Sequence, residues 1–129
     1  MKTQNWRVLS GALIAAVLVG KLMPGPWKSA FMAPWHAPGA VSTAAHVLLF
    51  AAVAFALGHA YRQAKWWQVL GLALTLTAVT EALQHFAIER HPSLMGMALD
   101  MAGAGLGWCF GLWLQQSHRA GQINLTNPD

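Results

Sequence analysis

Four long apolar runs, separated by short polar or proline-rich breaks, organise this chain. The first runs from Val8 to Met23, is interrupted only by Lys21, and meets Pro24-Gly25-Pro26. Proline lacks a backbone donor and restricts the residue before it, so a helix stops there. The second run, from about Val41 to Tyr61, holds no Asp, Glu, Lys or Arg. Arg62 to Lys65 form a polar turn, and Trp66-Trp67 open a third run that reaches Phe86. Glu89, Arg90, His91 and Pro92 make the next break. The fourth run spans about Met95 to Leu114, and a polar tail follows from Gln115 to Asp129.

A helix that crosses the hydrocarbon core of a bilayer needs about 20 residues, with a range of about 17–25. These runs are too long for strands, and they lack the roughly 10-residue alternating segments of a membrane β-barrel. The pattern predicts an all-α fold: one membrane domain over 1–129, a bundle of four transmembrane helices at about 6–23, 41–61, 66–86 and 95–114. Lys21 is then expected to snorkel outward from the end of the first helix. The segment from Pro24 to about Gly39, with Trp27, Lys28, Pro34, Trp35, His36 and Pro38, is expected to be an interfacial loop.

Composition sharpens this. Of 129 residues, 56% are hydrophobic and 9% are charged, against about 25% charged in an ordinary soluble domain. Eight Lys and Arg with four Asp and Glu cannot cover the surface of a soluble globule of this size. A soluble enzyme, a disordered regulator and a disulfide-stapled secreted domain are therefore excluded as leading readings. Cys109 is the single cysteine, so no intrachain disulfide forms. The net charge of +4 comes from scattered basic residues, which fits membrane flanks better than nucleic acid. Five of them, Lys2, Arg7, Arg62, Lys65 and Arg119, fall on one side of the predicted bundle, and three, Lys21, Lys28 and Arg90, on the other. That excess puts both termini in the cytoplasm. The first run is expected to be a retained helix, because Met23-Pro24-Gly25 is not a small-x-small cleavage site.

Ionisable residues inside membrane helices are costly and usually face the bundle interior or a water-filled cavity. Here they are His46 in the second run, Glu81 and His85 in the third, and Asp100 in the fourth. At ~1.5 Å per residue, His46, Glu81 and Asp100 each fall about 7 Å inside the same, non-cytoplasmic boundary. Glu81, Gln84 and His85 share a helix face, with Thr77 one turn away. Asp100, Gly103, Gly107 and Gly111 share another, and small residues at four-residue intervals let a neighbouring backbone approach.

Each feature also has a purely structural account. The glycines read as helix packing alone. Asp100 can accept hydrogen bonds from a neighbouring helix, Glu81 can pair with Arg90, and a lone His46 is more often structural than a ligand. His59 lies on the face opposite His46 and reads as interfacial, while His91 and His118 read as solvated. The coincidence of His46, Glu81, Gln84 and Asp100 at one depth is what points to a site.

The stretch Glu81-Ala-Leu-Gln84-His-Phe86-Ala-Ile-Glu-Arg90-His-Pro-Ser93, followed by Asp100 and Gly107, resembles the VanZ-like membrane proteins. That family shows E-x-x-Q-x-F, a following Arg and Ser, and an Asp entering a last glycine-rich helix. His46 corresponds to the histidine of its D-K-x-x-H signature, with Ser42-Thr43 in place of the Asp-Lys pair and Ala104 in place of an asparagine. The resemblance covers about 70 residues. It implies a bacterial inner-membrane protein of four helices. The founding member is linked to resistance to the glycopeptide teicoplanin, other members resemble accessory proteins near envelope polysaccharide systems, and no settled reaction comes with the family.

Two functional readings follow. In the first, a small envelope protein binds a polar ligand or lipid headgroup in the outer leaflet through His46, Glu81, Gln84, Arg90 and Asp100. Arg90 and Lys28 would meet phosphate there. In the alternative, the chain is an accessory or cofactor-binding subunit of a larger membrane complex, with His46 as axial ligand to a tetrapyrrole and Ser42 as the small residue one turn earlier. The expected partners are the lipid bilayer and membrane proteins or further copies of the chain, not nucleic acid. Catalysis ranks below binding, because there is no nucleophile motif and no conventional metal signature, although His46, Glu81 and His85 on two helices could collect a metal.

Overall fold

The computed structural model describes residues 2–34, 38–86 and 93–126. They form five helices, α1 (Thr3–Leu22), α2 (Gly25–Met32), α3 (Pro38–Ala60), α4 (Trp66–Gln84) and α5 (Leu94–Thr126), and among the described residues there is no strand. Three helical stretches are long and apolar enough to cross a membrane: Thr3–Leu22, Gly39–Ala60 and Leu94–Ser117. α4 is not one of them, since its 19 residues include Gln68, Thr75, Thr77, Thr80, Glu81 and Gln84. The outer surface carries Val8, Val19, Leu48, Leu72, Leu106, Phe110 and Trp113 in the open. So much exposed apolar surface suits lipid rather than water as the surrounding medium.

The four long helices alternate in direction. The last turn of α1, the early turns of α3, the end of α4 and the start of α5 meet at one end, where Lys21, His46, Glu81 and Asp100 are joined by hydrogen bonds. At the other end Trp6 packs against His59 with ring centroids 4.7 Å apart and meets Phe55 edge-on. Between these ends lies a core of Val17, Phe50, Val53, Ala54, Leu57, Val69, Ala73 and Ala104.

α3 and α5 form the closest helix pair, and two glycines make that approach possible. A Cβ added at Gly103 would overlap the backbone of Val47, and one at Gly107 the backbone of Ala51. Neither obstacle is a side chain that can turn aside. Gly111 differs: a Cβ there would meet only the rings of Phe55 and His59, at 3.5 and 3.7 Å.

One expected element is corrected and another is extended. The segment after Pro24 is not all loop, because Gly25–Met32 is helical, with Pro24 as its N-cap and a proline in its first turn. A first-turn proline gives up a donor that has no helical partner in any case, and its fixed φ suits the start of a helix. α2 buries none of its residues. The polar tail from Gln115 starts out helical, since α5 continues to Thr126. Gln, Arg and Ala are good helix formers, and nothing there forces a stop before Pro128. Trp35, His36, Glu89, Arg90, His91 and Pro92 lie outside the described residues.

Candidate functional site

The site is built around a lysine. Lys21 sits in the last turn of α1 with only 5% of its surface exposed. It does not snorkel outward, which corrects the expectation from sequence. An ammonium carries three donors, and three acceptors from two other helices surround this one. Its Nζ lies 2.5 Å from Asp100 Oδ2, 2.9 Å from Glu81 Oε1 and 3.1 Å from Thr77 Oγ1. The Phe50 ring closes another side, with its centroid 5.7 Å from Nζ. Removing a charge from water costs several kcal/mol unless it is paired and hydrogen-bonded. Two carboxylates within reach explain why the side chain turns inward.

Asp100 is wholly buried, and both its oxygens are engaged. Oδ2 accepts from Lys21 and, at 2.5 Å, from Thr77 Oγ1, while Oδ1 lies 2.7 Å from His46 Nδ1. A carboxylate on Nδ1 fixes the orientation of an imidazole and directs the opposite nitrogen elsewhere. The His46 side chain is 22% exposed, and it lines the cavity described below.

Glu81 ties α1 to the start of α5. While Oε1 binds Lys21, Oε2 accepts from the backbone N–H of Ser93 at 2.8 Å. Ser93 caps α5: its Oγ accepts from Gly96 N at 3.2 Å, and its carbonyl accepts from Met97 N at 3.1 Å. Glu81 thus places negative charge at the amino-terminal end of α5, where the helix dipole favours it. Gln84 completes the ring by donating from Nε2 to the Lys21 carbonyl at 3.0 Å. That carbonyl belongs to the end of α1, where helical partners run out.

Above this network lies an open cleft of about 330 Å³, lined among others by Lys21, Lys28, Ser42, His46, Glu81 and Gln84. Lys28 reaches into it from α2 and donates to Ser42 Oγ at 3.0 Å. A larger groove of about 910 Å³ opens at the opposite end, walled by Arg7, Tyr61, Arg62 and Gln68. Among the described residues no carboxylate or histidine lines it, and it is remote from the buried ionic network.

Of the residues singled out from sequence, His46, Glu81, Gln84 and Asp100 meet here, Arg90 lies outside the described residues, and Glu81 pairs with Lys21. His85 is exposed at the C-cap of α4. Among the described residues no three His, Cys, Asp or Glu side chains could hold a metal ion together. Sequence reasoning missed the central role of Lys21 and the backbone donor of Ser93. The signal for the first was present: one lysine in an apolar run, at the depth of two carboxylates on other helices.

Comparison of the chain with models of known families, with curated proteins and with solved structures gives no match.

Proposed function

We propose that this chain is a VanZ-like multi-pass protein of the bacterial inner membrane, and that its cleft binds a polar ligand or lipid headgroup at the depth of the outer leaflet. In this reading α4 crosses the bilayer with α1, α3 and α5, shielded by them, and both termini face the cytoplasm. The observation that carries the reading is the cleft over the buried network: Lys21, His46, Glu81 and Gln84, from α1, α3 and α4, all line one cavity of about 330 Å³. A ligand can reach an ionic cluster only where part of it meets open space. Here the cluster borders an open cavity, with a partly exposed imidazole at its edge.

The test is purification in mild detergent followed by mass spectrometry of co-purifying lipids and small molecules. A retained species that is lost in Glu81→Gln and Asp100→Asn, with both variants still inserted, supports the reading. The same species in wild type and both variants would reduce the network to helix packing.

A further inference from the structure

The polar cleft has an apolar annex. Between α1, α2 and α3 lies a second cavity of about 140 Å³, whose walls include Val17, Met23, Phe31, Met32, Leu49 and Phe50. It shares Gly20, Lys21, Lys28, Ser42 and His46 with the polar cleft. The two spaces therefore meet along a seam, and the Lys28–Ser42 hydrogen bond lies on it.

The chemistry on the two sides of the seam differs. A dry cavity of about 150 Å³ accommodates a benzene molecule, so the annex has room for roughly five or six carbons. Of the two carboxylates, Asp100 is wholly buried and Glu81 lines the cleft, but all four oxygens are already engaged, by Lys21, Thr77, His46 and Ser93. The seam itself offers an ammonium, a hydroxyl and an imidazole. The Lys28 ammonium and the Ser42 hydroxyl suit phosphate oxygens, which accept charge-assisted hydrogen bonds, and His46, with Nδ1 on Asp100, joins them as a donor from Nε2 when its ring carries both protons.

We infer that the ligand is a phosphate-bearing lipid, with its phosphate at Lys28, Ser42 and His46 and one hydrocarbon chain in the annex between α1, α2 and α3. This rests on the reading that the cleft binds a ligand, and it names that ligand's class. Neither half of the site accounts for the other. A free anion would leave the annex unused, and a neutral hydrocarbon would leave the polar seam unmatched.

The experiment uses the full chain in detergent and three probes: a lysophosphatidate, the monoacylglycerol of the same chain length, and inorganic phosphate. Binding is read by native mass spectrometry and by tryptophan fluorescence. Burying a chain of roughly five or six methylenes more than covers a tenfold gain, so lysophosphatidate is expected to bind at least about tenfold more tightly than inorganic phosphate. The same margin is expected over monoacylglycerol. Gly20 lines both cavities, and a Cβ added there meets nothing within 4 Å. Gly20→Leu should therefore weaken lysophosphatidate binding with the unfolding temperature unchanged. Lys28→Ala should weaken lysophosphatidate and spare monoacylglycerol.

Equal affinity for phosphate and lysophosphatidate would overturn the chain-binding half, and equal affinity for monoacylglycerol the phosphate half. A co-purifying ligand without phosphate would overturn this inference and leave the proposed binding function standing. No binding of any probe, with identical co-purifying species in wild type and Asp100→Asn, would overturn both.

Discussion

Lys21 Nζ lies 2.5 Å from Asp100 Oδ2, joining two residues 79 positions apart, one in the last turn of α1 and the other in the second turn of α5. Removing one partner of a buried pair leaves the other charge without compensation and costs about 3–5 kcal/mol. Lys21→Met should lose stability of that order in denaturant unfolding in mild detergent. Asp100→Asn should also destabilise, and the double variant should be less unstable than the sum of the two losses. Strictly additive losses would show that the pair contributes no coupling.

The glycines of α5 give a second prediction, with an internal control. Gly107 faces the Ala51 backbone, whereas a Cβ at Gly105 meets nothing within 4 Å. Overpacking costs typically about 1–3 kcal/mol, and more where backbone must move. Gly107→Val should lower the unfolding temperature sharply. Gly105→Ala should hold or raise it, with a gain in stability of up to about 1 kcal/mol, because glycine loses more conformational freedom than alanine on entering a helix. Similar effects at both sites would disprove the close α3–α5 contact.

The Ser93 side chain should act as a helix cap without being part of the ionic network, which the residue joins only through its backbone N–H. Ser93→Ala removes the Oγ acceptor for Gly96 N but keeps the backbone N–H that binds Glu81. The expected loss is about 0.5–2 kcal/mol. In the double variant with Lys21→Met, the two losses should add. Strong coupling between them in a thermal-unfolding cycle would contradict the separation.

Membrane sidedness is open to direct measurement. Ser29 on α2 and Gln63 in the turn before α4 are both exposed, and Cys109 is the free cysteine. In a Cys109→Ser background, Ser29→Cys and Gln63→Cys should label from opposite sides of the membrane, Gln63→Cys from the cytoplasm. Labelling of both from one side would refute the four-span arrangement proposed above.

The helices were legible because length and apolarity leave little choice of structure for such runs. Polar residues resisted reading wherever a partner far along the chain decides their direction. Lys21 taken alone belongs at an interface, and only Asp100, Glu81 and Thr77 together turn it inward. The helical spacing of Glu81 and Gln84 was legible, but not that Gln84 would cap the Lys21 carbonyl. α2 escaped because prolines read as breakers even where one of them begins a new helix. The annex beside the cleft was likewise illegible, since it arises from how α1, α2 and α3 pack and not from any motif.

The placement of Lys21 also sets a schedule. The lysine is made with the first long helix, while Asp100 follows 79 residues later. At ~5–20 residues per second, translation leaves the ammonium waiting on the order of 4–16 s for its shortest ion pair. Thr77 and Glu81, which also bind this ammonium, are made earlier, so Asp100 is the last of its three acceptors to arrive. A chain that ends before α5 therefore leaves Lys21 with only the partners that α4 supplies, and without the carboxylate that lies nearest to it.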